Sequence, residues 1–485
     1  MAERSVVKNY LYSSLTTVLN VAVPLVTYPY AARVLGPANM GRLGVAGSLA
    51  NYFIVAAGLG LSVYGVRAVA KARHDRAALG KVLAELYALS LAAASLAAAA
   101  FALVVALVPR YRADAGLLAV YGATILAAGA GLEWFFQGME EFRYIGLRNL
   151  GVQALFVAAL FVFVRVPGDA VAYAGLYAAT MLVSVAVNLR AALRLAKPEL
   201  GGLKPLRHLP GMAALAAVSF AVTGYTNMDL LFLGLLAPRE QAGLYVIALR
   251  IARMVVTVSA TLSAVLLPRL SALAESDHGE YRRVLKRSFG AMALFALPAA
   301  AGLSAVAPDL VALFAGAEFG AARASLRVTA WLVPVVGLSN FLQMQVLIPT
   351  GRERRMLLSF GLGAAVGGAA CALLIPGLGH VGAAVGMLAA EAAVAVAHLA
   401  LAGRGALAGI AVAKDGLRYL SGSAACWAAA SGVSALMAPG AARLAAASAA
   451  GAATYAAWLL ISGDELAREA LGRVLAAVKR PKENT

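Results

Sequence analysis

Charge is scarce in this sequence. Only 13% of its 485 residues are Asp, Glu, Lys or Arg, against about 25% in a soluble domain. With 62% hydrophobic residues and a mean hydropathy of +0.81, the chain cannot cover itself with polar surface in water. A bilayer must be its solvent. Cysteine is scarce as well. Cys371 and Cys426 both lie in apolar runs, and two such residues make neither a disulfide framework nor a metal site. The five histidines are scattered, so no metal centre is expected. Apolar and polar residues do not alternate with period two, which argues against an outer-membrane barrel.

Catalytic signatures are missing too. There is no G-x-x-x-x-G-K-[ST] phosphate loop, no H-E-x-x-H and no G-x-S-x-G. No Asp-x-Asp pair is present to hold a metal–sugar-nucleotide, and no large loop could house a glycosyltransferase or polymerase domain. The chain therefore reads as a non-enzyme without a cofactor, driven by a gradient or by consumption of its product on the far side. The net charge of +18 would suggest nucleic acid in a soluble protein. Without a helix-turn-helix or zinc pattern, it reads instead as the basic cytoplasmic loops of a membrane protein.

The sequence does contain long apolar runs bounded by charge, Pro and Gly. A span needs about 20 apolar residues, and the length accommodates roughly fourteen. Their expected cores are 9–33, 42–69, 82–108, 115–137, 146–165, 169–193, 211–236, 243–268, 286–307, 325–348, 356–375, 380–402, 415–437 and 442–462. The first run lacks a cleavage site, so it reads as a retained span and not a signal peptide. With the N-terminus placed in the cytoplasm, the cytoplasmic segments hold 30 Lys and Arg and the opposite side holds 9. That bias puts both termini inside. The tail, 464–485, spaces Leu466, Leu471, Val474, Leu475 and Val478 as an amphipathic surface helix would. A frayed polar tail is the alternative.

One internal repeat is visible. Leu35–Gly41 and Leu236–Gly243 both read hydrophobic–small–Pro and end on Gly, six spans apart. An even offset makes the repeats parallel, a transporter layout with substrate held between two six-helix lobes. The lobes are then 1–207 and 208–403, followed by two further spans in 404–463 and the tail.

A charge in the hydrocarbon core costs at least about 2.5–3.5 kcal/mol, so polar residues there carry information. Arg250 and Arg253 share a face of span eight, and Arg33 ends span one. They either snorkel to the outer interface or line a cavity, where guanidinium suits phosphate. Asp229 in span seven pairs helices or serves as a proton or cation site. Glu133 stands either near water or in a cavity. Asn20, Asn51, Tyr52, Asn340, Gln343 and Gln345 either contact sugar hydroxyls or glue helices together. Glu391 and His398 lie seven residues apart, on one face of span twelve, as a relay or as structural groups. Pro24 and Pro29 should bend span one.

Three segments carry a family resemblance. They are Tyr28-Pro29-Tyr30-Ala31-Ala32-Arg33-Val34-Leu35-Gly36-Pro37 through Gly41, then Glu133-Trp134-Phe135-Phe136-Gln137-Gly138 through Ile145, then Asp229 to Leu235 with Ala242-Gly243-Leu244-Tyr245 and Leu266-Leu267-Pro268-Arg269-Leu270-Ser271. Together they resemble the polysaccharide and O-antigen flippases of the multidrug/oligosaccharidyl-lipid/polysaccharide exporter superfamily. The resemblance implies an all-α fold of two six-helix lobes plus two C-terminal helices, set as a V around a central cavity. It implies movement of undecaprenyl-pyrophosphate-linked oligosaccharide from the cytoplasmic to the periplasmic leaflet by alternating access. Arg33, Arg250 and Arg253 would hold the pyrophosphate, Asn20, Asn51, Tyr52, Asn340 and Gln343 the sugar, and Asp229, Glu133 and Glu391 a coupling ion. The expected setting is a bacterial or archaeal cytoplasmic membrane. Partners would be membrane lipids, a polysaccharide polymerase and glycosyltransferases. A multidrug or organic-cation antiporter of the same superfamily is the alternative, but drug cations favour carboxylates, and arginines predominate here. A non-transporting scaffold for envelope assembly is a third reading, and it would tolerate loss of the arginines.

Overall fold

Glycine and proline punctuation in the apolar runs sets where helices stop. The computed structural model describes the backbone of residues 6–352, 355–407 and 412–469, and within them all side chains except those of 6–18, 20, 21, 258–265, 404–407 and 412–415. The described residues are helical and contain no strand. Eleven of their helices are long and apolar enough to cross a membrane. One of the eleven is the 51-residue stretch Ala22–Ala72, which covers two of the expected spans. Two others of the expected fourteen, 243–268 and 415–437, contain side chains outside the described set.

The chain divides into two compact units, Met1–Gly243 and Leu244–Thr485. The first holds α1 (Val6–Gly58), α2 (Leu61–Ala72), α3 (Arg76–Leu107), the short α4 (Pro109–Arg112), α5 (Ala115–Gly129), α6 (Glu133–Gly138), α7 (Phe142–Phe163), α8 (Ala170–Leu195) and α9 (Leu209–Leu236). Helix α1 packs against α3, α5, α7 and α9, and α2 against α3, α6 and α9. The helix α1 continues through Pro24 and Pro29, and its dihedrals leave the helical range at Gly36, not at the prolines expected to bend it. Two expected spans are broken. The run at 42–69 stops at Leu59 and Gly60, which have φ of 47° and 74°. The run at 115–137 stops after Gly129 and resumes at Glu133. Glycine is a poor helix former, and Gly58, Gly60, Gly129 and Gly131 cluster at these two points.

The two similar turns read from the sequence meet in this unit. A Cβ at Gly41 would collide with the Arg239 carbonyl oxygen, and one at Gly243 with the Pro37 carbonyl oxygen. Only glycine permits so close an approach. Around the seam, Asp114 pairs with Arg42 at 2.6 Å and with Arg239 at 2.8 Å. Arg110 donates to the carbonyls of Gly234 and Ala237 at the end of α9, where the helix dipole favours a cation.

The second unit holds α10 (Arg239–Ser276, beginning in the first unit), α11 (His278–Ala305), α12 (Ala307–Ala315), α13 (Ala322–Thr329), α14 (Leu332–Phe341), a π-helical turn (Leu342–Leu347), α15 (Met356–Leu378), α16 (His380–Leu407), α17 (Val412–Leu436) and α18 (Ala441–Ile461). Hairpins α15–α16 and α17–α18 pack closely, and α11 packs on α14 and α17. Asp277 caps α11, and the N–H groups it accepts from Glu280 and Gly279 hold its carboxyl below the usual range. Cys371 and Cys426 are buried and unbridged. Asp464 accepts from the Ala467 N–H and so caps the first turn of the tail. The remainder of the expected amphipathic tail, from residue 470, lies outside the described residues.

Candidate functional site

The two helix breaks in the first unit face one cavity of about 520 Å³. Gly58, Gly60, Leu61 and Ser62 line it from the α1–α2 break, and Ala128, Gly131 and Glu133 from the α5–α6 break. Non-helical backbone at membrane depth is tolerated where it lines a cavity or is buried in protein, because its freed polar groups need partners. One such group is met by a side chain: Ser90 Oγ donates to the Gly129 carbonyl at 2.7 Å.

Polar side chains converge on this space. Arg148 of α7 is nearly buried and reaches Glu133 at 3.4 Å, while its Nε donates to Asn149 Oδ1 at 3.1 Å. Tyr144 donates to Asn188 Oδ1 at 3.1 Å, and Asn188 lines the wall with Gln137 and Ser184. Trp134, 6% exposed, also lines it, and its Nε1 is buried without a hydrogen-bond partner. An unmet buried donor costs about 1–3 kcal/mol. Of the sequence candidates only Glu133 falls here. Gln137, Arg148, Asn149 and Asn188 were missed. Gln137 stands in a segment that carries the family resemblance but was not singled out; the others look ordinary in sequence, and Arg148 counts there among the cytoplasmic-loop bases. The nearest signal was the pair of glycine-rich stops that break the two helices.

Elsewhere in the first unit, Tyr52 donates to the Gly224 carbonyl at 2.6 Å and Ser48 to that of Asn227 at 2.8 Å. These bonds fasten α1 to α9, so Tyr52 has a structural use. Asn51 is half-buried and Arg33 exposed. The Asn20 side chain lies outside the described residues. Asp229 is fully buried, and its Oδ1 accepts from the Leu230 N–H at 2.8 Å.

In the second unit, Arg250 is half-buried and Arg253 exposed on α10. Asn340 and Gln343 are half-buried, Asn340 on α14 and Gln343 in the π-helical turn that follows. Such turns occur often at functional sites. Gln345 in the same turn is buried, and its main-chain oxygen accepts from the Tyr281 hydroxyl at 2.8 Å. Glu391 is buried on α16. His398 is fully buried, with Nδ1 3.1 Å from Ser339 Oγ and its ring edge-on to Phe360. Three other buried carboxylates hold arginines: Glu85 holds Arg207, Asp309 holds Arg443, and Asp464 holds Arg418. These ion pairs serve the fold. No group of three or more His, Cys, Asp or Glu side chains gathers as a metal site among the described residues.

Comparison with known proteins adds the following. A family described as polysaccharide biosynthesis proteins matches residues 6–274. A protein of Shigella dysenteriae named as an O-antigen transporter is 25% identical over 380 residues, covering 74% of this chain and 90% of that protein. One of Escherichia coli (strain K12) with the same name is 23% identical over 168 residues, covering 35% of this chain and 40% of that protein. Among solved structures, the lipid II flippase MurJ in an inward closed conformation superposes with a TM-score of 0.69 at 13% identity, over 96% of this chain and all of that one. An inward-facing multidrug resistance transporter of the MATE family gives 0.58 at 13% identity, over 84% and 95%. The fold is shared with both.

Proposed function

Because the chain belongs to the polysaccharide biosynthesis protein family, we propose that it is a multi-pass flippase that moves a lipid-linked oligosaccharide across the membrane. The observation that carries this reading is the family match, extended along most of the chain by the relative from Shigella dysenteriae. The absence of a catalytic constellation in the sequence agrees with transport, not chemistry.

At finer grain, the substrate is undecaprenyl-pyrophosphate-linked oligosaccharide, moved from the cytoplasmic to the periplasmic leaflet of the cytoplasmic membrane by alternating access through fourteen spans. Arg33, Arg250 and Arg253 take the pyrophosphate, for which guanidinium offers fixed charge and bidentate geometry. Arg250 and Arg253 are three apart on α10, so they share a face. Asn51, Asn340 and Gln343 are half-buried hydrogen-bonders suited to sugar hydroxyls. Asp229 and Glu391 carry coupling. Both are carboxylates buried within apolar helices, Asp229 on α9 and Glu391 on α16, where a charge is costly and marks a functional group. A polymerase and glycosyltransferases of the same assembly line would be the functional neighbours.

The test is translocation. Arg250→Gln with Arg253→Gln, expressed at wild-type level, should lose most leaflet exposure of the labelled lipid-linked sugar. Full exposure in that variant would remove the arginines from the site.

A further inference from the structure

We propose that the cavity of the first unit is a binding site for a neutral, hydroxyl-rich sugar ring of the substrate. The proposal rests on the flippase reading and deepens it. Arg33, Arg250 and Arg253 are assigned to the anionic end of the lipid. The cavity has a different chemistry.

Its charge balance comes first. Among the described residues that line it, the ionised groups are one carboxylate, Glu133, and one guanidinium, Arg148, and they face each other at 3.4 Å. A pocket built for pyrophosphate would carry excess positive charge, and one built for a drug cation would carry excess acid. A balanced pair suits a neutral ligand and offers it both donors and acceptors. Apart from the Trp134 indole, the remaining polar lining is amide and hydroxyl, with Gln137, Asn149, Asn188, Ser62 and Ser184 among it. These groups recognise hydroxyls by hydrogen bonding without demanding charge.

Two further features of the wall bear on its use. Trp134 Nε1 is a buried donor with no partner in a side chain 6% exposed. The Trp134 ring packs against the Gly65 backbone and presents an aromatic surface to the cavity, the kind of face on which the C–H side of a sugar ring rests. The wall is also made from two interrupted helices. Leu59 holds φ at 47° beside Gly60 at 74°, and a non-glycine residue in that region is a strained arrangement that collects at functional sites. The break leaves the first N–H groups of α2 without helical partners, at Leu61 and Ser62 on the cavity wall. A volume of about 520 Å³ is in the range of small-molecule sites and far smaller than a lipid-linked oligosaccharide, so the cavity takes part of the glycan and not the whole substrate.

The test uses the full chain in lipid nanodiscs. Both native cysteines are buried, so Ser62→Cys introduces a reactive thiol on the cavity wall. Its maleimide labelling is followed with two probes: the pyrophosphate-linked oligosaccharide extracted from the source cell, and undecaprenyl pyrophosphate without sugar. Binding of each probe is measured on the same discs. The sugar-bearing lipid should slow labelling and the bare lipid should not. Adding Gln137→Leu should raise the half-protecting concentration of the sugar-bearing lipid about tenfold, the loss expected of one or two hydrogen bonds, and leave binding of the bare lipid unchanged. Equal protection by both probes would mean that the cavity takes lipid, and would overturn the proposal. So would binding of the sugar-bearing lipid with no protection at all. Binding of neither probe would instead overturn the flippase reading on which the proposal rests.

Discussion

Two hydrogen bonds tie α1 to α9, from Tyr52 to Gly224 and from Ser48 to Asn227. Tyr52→Phe and Ser48→Ala each remove one donor, and each should cost about 0.6–1.5 kcal/mol of stability, read as a lowered thermal unfolding temperature in detergent. Transport by Tyr52→Phe should stay near wild type, because its hydroxyl is committed to the Gly224 carbonyl. Asp229 should behave differently. Asp229→Asn keeps the shape and removes the titratable charge, so a coupling role predicts intact folding with translocation that no longer responds to an imposed ion gradient. Gradient-dependent translocation in that variant would assign Asp229 to helix pairing. The sequence showed Tyr52 and Asp229 as polar groups in apolar runs, but it could not separate these uses. The partner that decides Tyr52 lies 172 residues away, and periodicity carries no such distance. Arg148 was hidden for a related reason: only the fold brings it back to Glu133.

Most helix boundaries were legible because apolar runs and charge end together. The runs read at 356–375 and 380–402 correspond to Met356–Leu378 and His380–Leu407. The breaks at Leu59–Gly60 and after Gly129 were not legible, since both runs stay apolar across them. The interruption is written in glycine spacing and φ, not in hydropathy. The seam between Gly41 and Gly243 offers an element-level test. Gly41→Val or Gly243→Val forces side-chain atoms into a carbonyl oxygen of the facing turn, and such overpacking costs about 1–3 kcal/mol or more. Gly116→Ala meets nothing within 4 Å and serves as the control. Size-exclusion profiles of tagged protein should show loss of the folded peak for the seam variants and none for the control. A monodisperse Gly41→Val protein would mean that the turns have room to part.

At the scale of the whole molecule, the sequence supplied the solvent and an expected orientation. Low charge and high hydropathy demanded a bilayer, and from the 30-to-9 bias of basic residues we propose that both termini are cytoplasmic. That orientation is tested by His74→Cys, in the turn between α2 and α3. Membrane-impermeant maleimide should label it in inverted vesicles and not in intact cells, and the reverse would turn the molecule over.

The central claim is that this chain moves a lipid-linked oligosaccharide between leaflets, and reconstitution tests it most directly. Purified protein in sealed liposomes, with the fluorescent sugar-bearing pyrophosphate lipid confined to one leaflet, should carry that lipid to the other far faster than protein-free liposomes do. The Arg250→Gln, Arg253→Gln protein should fall toward the protein-free rate. Transfer by the wild type no faster than by empty liposomes would contradict the account.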